Sequence, residues 1–589
     1  MCGIFFSLSS TPTPPTQETK VLLETRGPDS YQLHTVRNEA TQHDASESLT
    51  YYLTFMSTVL SLRGDHVYSQ PLVDNSTKSV LCWNGEAWKI AGERVLGNDT
   101  EHIFALFLNA VNCDDQKQAS HGLADAVASI SGPFAFVFYD ATHSQVYFSR
   151  DCLGRRSLLQ GWNDDGSLKL CSLCDGSSEA HYEEVGFDGV YTIDLDTLCD
   201  PSRSLQSQCK IEALPWTSDP SPIAGHIRNP IPPMNMSVPD TQPPALEVNS
   251  PFVQELEYRL RQSLALRIQD VPEPPGYVQG SSTKIAVLFS GGLDCALLAR
   301  LSHDILPLNE PIDLLNIAFE NPRVAAAARS NQQKTLSTTS TPAMIYEACP
   351  DRITGRSAFA ELKSTCPGRN WRFVAIDIPY TETLAHRDTV RRLMRPHNTE
   401  MDLSITCALY FASRGQGTLT TSTPTNSESE PGTYTTSARV LLSGLGADEL
   451  FAGYGRHGIA FNRSGFEGLL NEIKLDVSRL GQRNLGRDDR VLSHWSRETR
   501  FPYLDEEFVA WVLHAPVWKK CGFGLADTSV SNSPEQSTAG IDAEKMALRL
   551  VALRLGLQSV AREKKRAIQF GARTAKMEKG RTKGTDTLS

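Results

Sequence analysis

A cysteine stands at position 2 of the chain, followed by glycine and three apolar residues in MCGIFF. With Met1 removed, Cys2 carries a thiol and a free α-amine on one residue. The amine's pKa of about 7.7–8.0 leaves part of it unprotonated near neutral pH. It can then take the thiol's proton, directly or through a water, as the activation of an N-terminal nucleophile requires. A bare Met-Cys is more often an incidental or buried cysteine, so companions further along the chain decide between the two readings.

The second chemical signal is LFSGGLDCALLA, residues 288–299. An apolar strand runs into Ser290-Gly291-Gly292 and a helix begins at Leu293 or Asp294. The glycines permit a tight turn and bring backbone N–H groups to an anion, and the helix N-terminus adds partial positive charge. A carboxylate beside phosphates is repulsive unless it holds a divalent cation. Asp294 therefore points to Mg2+, and the implied ligand is ATP. A second glycine turn, VLLSGLGADELFAGYGRH at 440–457, also follows an apolar strand and ends in Asp448-Glu449. Taken alone, it reads equally well as a turn with a helix cap.

The elements that must position these residues fall into two halves, as 589 residues exceed what one core supports. Up to about Cys209, β-rich runs such as CGIFFSL, SVLCWNG and PFAFVFYD alternate with Gly, Asn and Asp turns. One helix fits at TEHIFALFLNAV, with Asp99-Thr100 as its cap. Residues from about 216 to 250 are proline-heavy and read as an extended linker. After it, PFVQELEYRLRQSLALRI has helical period, and strand and helix patterns then alternate through DLLNIAF, WRFVAIDI and SARVLLSGL, implying a parallel α/β layer. Two Ser/Thr-rich stretches, NPRVAAAARSNQQKTLSTTSTPAM and GQGTLTTSTPTNSESEPGTYTTS, read as insertions, the second a flexible loop. The basic tail REKKRAIQFGARTAKMEKGRTKG reads as a solvated helix face or a neutraliser of phosphates.

Bulk properties exclude several classes. A net charge of −11 and a pI near 5.8 give no footprint for nucleic acid. The longest apolar runs are strand-length, well short of the roughly 18 residues of a membrane span. MCGIFF lacks the basic and long apolar regions of a signal peptide. The 13 cysteines are irregularly spaced, which fits a reducing cytosol and no disulfide framework. Cys171 and Cys174 form a CxxC without a second pair at zinc spacing, inside a strand-like LKLCSLC.

Together these residues resemble the asparagine synthetase family, which joins a class II glutamine amidotransferase to an ATP-pyrophosphatase synthetase domain. SGGLD is similar to its pyrophosphate loop, SGLGADE to its second loop, and RETRFPYLD (497–505) to its RxPFLD stretch. In the first half RGPDS (26–30), SLRG (61–64), NGE (84–86), NDTE (98–101), SGPFAFVFYD and SRDCLGRRSLL (149–159) recur in family order. PDRITGR (350–356), NLGRDDR (484–490) and KRAIQFGARTAKMEK (565–579) resemble one particular branch. PDRITGR has no evident physical role at this level.

The resemblance implies an α+β N-terminal-nucleophile αββα sandwich over residues 2–212 and a proline-rich linker over 213–250. It further implies an α/β parallel-sheet, PP-loop synthetase domain over 251–580, with a flexible insert at about 415–437. Cys2 would attack glutamine's amide, with Asn84 and Gly85 as oxyanion donors. Arg63, Asn84, Gly85, Glu86 and Asp99 would bind glutamine, Arg63 meeting its α-carboxylate and Asp99 its α-ammonium. Arg26 and Asp29 would brace the pocket. Leu288, Ser290, Gly291, Gly292, Asp294, Ile317, Ser443 and Gly444 would bind ATP, Asp294 and Asp448 would hold Mg2+, and Lys565 would steady the adenylate. The implied partners are glutamine, ATP, aspartate and a second copy of the chain, with neither nucleic acid nor membrane, in the cytoplasm.

The chain departs from the family at Leu445, where asparagine synthetases carry a glutamate that serves the aspartyl chemistry. Three readings follow: a glutamine- and ATP-dependent amide ligase making asparagine, a ligase acting on another carboxylate, or a non-catalytic scaffold.

Overall fold

The computed structural model describes residues 2–41, 48–175, 181–217, 227–324, 326, 342–421, 433–526, 540–577 and 583–588. Met1 and most of the first Ser/Thr-rich stretch lie outside these. The chain forms two compact units, Met1–Pro232 with Leu480–Arg497, and Pro233–Arg479 with Glu498–Ser589.

Among the described residues the first unit is built on two large sheets, beside a small one of three short strands. One runs in the order His181–Glu184, Leu159–Trp162, Leu168–Cys171, Gly3–Ser9, Ser48–Val59, Ser30–Thr41, all antiparallel. The other centres on Gly189–Asp194, Gln145–Arg150, Phe134–Asp140 and Val80–Gly85. Successive side chains of a strand face opposite ways. Ala135, Val137, Val80 and Cys82 therefore meet Ile4, Phe6, Leu8, Leu53 and Phe55 between the sheets. Phe134, Phe136, Phe138, Leu81 and Trp83 pack instead against Ile103, Phe107, Leu123 and Val127 of the helices Asp99–Ala110 and Gln116–Ala128. This double burial is why SGPFAFVFYD is apolar at nearly every position rather than alternating. Helix Gln17–Arg26 covers the outer face of the first sheet, where Leu23 lies against Gly3 and its carbonyl accepts from Thr58 Oγ1 at 2.8 Å. The expected αββα layering results. The cap of Asp99–Ala110 is Asn98, not Asp99 or Thr100: its side chain accepts from Thr100 N at 3.0 Å.

The second unit holds a sheet ordered Thr433–Thr435, Gln416–Thr421, Trp371–Ile378, Ile312–Phe319, Ile285–Leu288, Val440–Leu442, Glu498–Arg500. The last five strands are parallel and the first two form an antiparallel hairpin at the edge. Ile285–Leu288 has the next two parallel strands of the chain on one side and the last two on the other. The strand order thus reverses beside it, and such a reversal opens a crevice at the carboxyl ends of the strands. Both glycine turns leave from those ends. No helix among the described residues is long and apolar enough to cross a membrane.

Three boundaries differ from the sequence-based expectation. The proline-rich stretch is not a separate segment: Ile211–Thr217 is a strand of the first unit, while Asn235 N donates to Leu513 O (2.8 Å) in the second. The insert at 415–437 carries strands at both ends, paired Gln416 to Thr435, and its centre lies outside the described residues. Residues 480–497, expected within the synthetase domain, belong to the first unit.

Candidate active sites

In the first unit Cys2 is buried at the head of strand Gly3–Ser9. Its Sγ lies 4.0 Å from Gln70 Nε2, and Gln70 Oε1 accepts from Trp83 N at 2.7 Å. Gln70 thereby joins the cysteine to the strand that carries Asn84. Asn84 is fully buried, and neither its Oδ1 nor its Nδ2 has a partner among the described residues. A buried amide left unsatisfied costs about 1–3 kcal/mol, so its retention demands an explanation. Position 85 has no room for a side chain: a Cβ on Gly85 would lie 2.5 Å from Pro133 O, on the neighbouring strand's approach.

Asp99 Oδ2 accepts from Ala87 N at 2.8 Å and Trp83 Nε1 at 3.3 Å. Burial pushes its carboxyl up, with Arg63 pulling the other way. Arg63 donates to the carbonyls of Gly97, Ala87 and Val95, stands 3.6 Å from Glu86 Oε2, and packs over the Trp88 ring. Cys2, Arg63, Glu86 and Asp99 are thus linked through Gln70, Trp83 and Ala87, with Asn84 and Gly85 next along the same strand; Gln70 and Trp83 are members that the sequence reading missed. Arg26 and Asp29 do not pair with each other. Asp29 accepts from Ser61 N at 2.8 Å, whereas Arg26 turns to Asp489.

In the second unit Ser290, Gly291 and Gly292 form the turn before helix Leu293–Ile305. Gly291 has φ +81°, and a Cβ there would lie 2.5 Å from the backbone of Gly355. That contact gives PDRITGR its role: helix Pro350–Thr365 supports the turn from below. Within it, Arg352 is fully buried, donating to Asn316 Oδ1 (2.7 Å), Glu347 (2.9 Å) and Asp377 (2.6 Å). Asn316 in turn donates to Phe289 O at 2.9 Å and Asp351 O at 2.8 Å.

The carboxylates of Asp294 and Asp448 converge on Lys545 Nζ, each with an oxygen at 2.7 Å. Lys565 Nζ also meets Asp448. Gly444 makes the convergence possible, as a Cβ there would lie 2.7 Å from Asp294 Cβ. Burial opposes the charge of Asp448, yet Lys545 and Lys565 together hold its carboxyl well below the usual range. Burial and the Asp448 charge push Glu449 up, and Tyr454 Oη donates to it at 2.6 Å. Lys545 starts helix Met546–Arg554 in a left-handed conformation, φ 55°. No spacing or glycine signal in GIDAEKMALRL marked it.

The cleft is lined by Leu288, Ser290, Gly292, Asp294, Gly444, Lys545, Lys564 and Lys565, with Asp351 and Arg566 on its wall. Gly291, Ile317, Ser443 and Asp448 do not line it. Ile317 is buried in the sheet beside Ile376, and Ser443 N donates to Arg500 O at 3.1 Å. The basic tail is therefore cleft wall at Lys564–Arg566, with Lys565 facing Asp448.

Residues 58–175 match the family described as a glutamine amidotransferase domain, and residues 467–583 match asparagine synthase. Asparagine synthetase domain-containing protein 1 of Bos taurus is 31% identical over 99% of this chain and 97% of its own length. Asparagine synthetase [glutamine-hydrolyzing] 2 of Arabidopsis thaliana is 23% identical over 88% of this chain and 72% of its own. Among solved structures, glutamine phosphoribosylpyrophosphate amidotransferase from B. subtilis aligns at a TM-score of 0.24 and 14% identity, over 54% of this chain and 66% of that one.

Proposed function

The chain belongs to the family of asparagine synthetase domain-containing proteins, and on that premise we propose that it is a glutamine-hydrolysing, ATP-dependent amide-forming ligase. The observation that carries this reading is the buried amide of Asn84 with both polar atoms unpartnered, joined through Trp83 and Gln70 to Cys2. A donor held without a protein acceptor in a buried site suits an oxyanion that exists only during reaction.

In this reading Cys2, once Met1 is gone, attacks the side-chain carbonyl of glutamine through sulfur, its thiol proton passing to the α-amine. The tetrahedral oxyanion is received by Asn84 and the Gly85 N–H, each such donor lowering the barrier by ~2.7–4 kcal/mol. The C–N bond then breaks, ammonia leaves with the returned proton, and water hydrolyses the thioester to glutamate. Arg63 attracts the α-carboxylate of glutamine and Asp99, with Glu86 beside it, its α-ammonium.

The cleft of the second unit is the ATP site. Ser290–Gly292 and Gly444 allow close approach of phosphates, and Lys545 and Lys565 bring positive charge to them. Asp294 and Asp448 would hold Mg2+, an ion that takes one or two carboxylates together with substrate phosphates, at a point where the Lys545 ammonium now stands between them. When bound, Mg2+ neutralises phosphate charge. A carboxylate oxygen of the acceptor then attacks the α-phosphate of ATP, pyrophosphate leaves, and ammonia displaces AMP from the acyl-adenylate to form the amide. Aspartate is the first candidate. Leu445 supports a second, a carboxylic acid that needs no glutamate at this loop, because leucine neither accepts a proton nor holds an ammonium.

The test is Cys2→Ala. Glutamine-driven amide formation is expected to vanish while ammonia-driven formation persists, and loss of both would refute the division of labour. Pyrophosphate release across a panel of carboxylic acids identifies the acceptor. No glutamine hydrolysis by protein whose free Cys2 terminus is verified by mass spectrometry would leave the scaffold reading.

A further inference from the structure

Residues Leu480–Arg497 are encoded between elements of the second unit but fold into the first. By composition NLGRDDR is a polar run suited to a solvated surface. Instead every residue of helix Gly486–Leu492 is buried, including Arg487, Asp488, Asp489 and Arg490. The fit is close. A Cβ on Gly486 would lie 2.4 Å from the Glu184 carboxylate, and one on Gly481 2.7 Å from Leu153 O. Arg490 Nη1 donates to Ser157 Oγ and Glu184 Oε1, both at 2.8 Å, and Ser496 Oγ donates to Thr25 O at 2.7 Å.

The centre of this insertion is Asp489, whose side chain is fully buried. Its Oδ2 accepts from Arg26 Nη2 at 2.9 Å and from Ser157 N at 3.1 Å, and its Oδ1 lies 3.5 Å from Arg156 Nη1. Arg26, also buried, uses Nε to donate to the backbone carbonyl of Cys2 at 3.2 Å. A carboxylate 487 positions along the chain therefore reaches the nucleophilic residue through one guanidinium. A guanidinium is a planar fork that cannot be deprotonated, so its carboxylate partner fixes the direction of its remaining donors.

We propose that Asp489 is a positioning residue for the Cys2 nucleophile: it anchors Arg26, which holds the Cys2 carbonyl and thereby orients the thiol and the α-amine on that residue. The proposal rests on the reading of Cys2 as the glutamine-hydrolysing group. In consequence the amidotransferase unit is incomplete without a segment encoded after most of the nucleotide unit. Residues 1–232 by themselves lack the anchor.

The test uses full-length, Met1-processed protein with Asp489→Asn and, separately, Arg26→Lys, which leaves Asp489 a cationic neighbour but no fork. For wild type and both variants the readouts are kcat and KM for glutamine hydrolysis, and the pH profile of Cys2 alkylation by iodoacetamide. Both variants are expected to lose at least tenfold in kcat, with KM changed less than twofold, and to show a displaced alkylation profile. A purely structural role for Asp489 would lower melting temperature while leaving the profile of the folded fraction unchanged, and that result overturns the assignment. Wild-type kcat in folded Asp489→Asn overturns it as well. Should Asp489→Asn fail to fold, Arg26→Lys decides alone, and its wild-type kcat is equally fatal. If wild-type protein with a verified free Cys2 hydrolyses no glutamine, the amidotransferase reading falls first and this assignment with it.

Discussion

Beside the Cys2 sulfur stands the neutral amide of Gln70, whereas the cleft of the second unit concentrates full charges. Gln70 links the thiol to the strand of Trp83 and Asn84, and the Asn84 amide is left without a partner among the described residues. In the second unit Asp294, Asp448, Lys545 and Lys565 lie within ion-pair distance and cancel one another. The difference follows the chemistry proposed for each. A site that attacks a neutral side-chain amide must wait for charge that arises in the transition state, so a donor is held unused. A site that meets a polyanion must hold its own charges in balance until the ligand rearranges them.

Lys545→Met would break this contrast most severely. Two carboxylates would lose their shared cation, and removing one partner of a buried ion pair costs about 3–5 kcal/mol. Chemical denaturation monitored in the second unit is expected to show that loss. Asn84→Ala is expected to act in the opposite sense on stability. Glutamine kcat should fall about 10²–10³-fold, while the melting temperature holds or rises, because a buried unsatisfied amide has been removed. A large loss of stability with Asn84→Ala would mean that the amide is bonded in the folded protein.

Asp351 sharpens the comparison, as a carboxyl in the charged cleft that is not held ionised. Burial pushes it up to about 7, against the pull of Arg566 at 3.7 Å. Between pH 4 and 7 the unfolded chain has released this proton while the folded one retains it. Stability contributed by this group therefore falls as pH rises through that window and levels off above it. Asp351→Asn should raise stability by up to about 4 kcal/mol above pH 7 and by nothing below pH 4, as read from urea midpoints at several pH values. Asp448 has the reverse sign: its depressed carboxyl stabilises at neutral pH, and that contribution is lost as acid protonates it. The smallest effect belongs to Asn98→Ala, which removes the cap of the helix carrying Asp99 and should cost about 1 kcal/mol in thermal unfolding.

Much of the scaffold was legible because its signals are short-range. Helix Pro251–Ile268 follows the expected stretch residue for residue, and the strand, glycine turn and helix at 285–305 appear where the apolar run and the Ser290-Gly291-Gly292 turn predicted them. The residues that complete the sites carried no such mark. Gln70 is an ordinary polar residue in a loop, Lys545 one lysine among many, and PDRITGR part of a helix whose Gly355 backs the Gly291 turn and would itself place a Cβ 2.4 Å from Asn316 Nδ2. Ile317 and Ser443 show the converse, for their places in a pattern did not bring them to the cleft wall.

By itself the sequence determined where the chain turns, which strands are buried on both faces, and that a cysteine and two glycine–aspartate turns were available for chemistry. These depend on backbone sterics and on periodicities of a few residues. Tertiary structure alone decided that Lys545 stands between Asp294 and Asp448, and that Asp489 reaches back to Arg26. A buried charge must find its counter-charge wherever the docking of distant elements places it, because desolvation penalises any arrangement that leaves it alone.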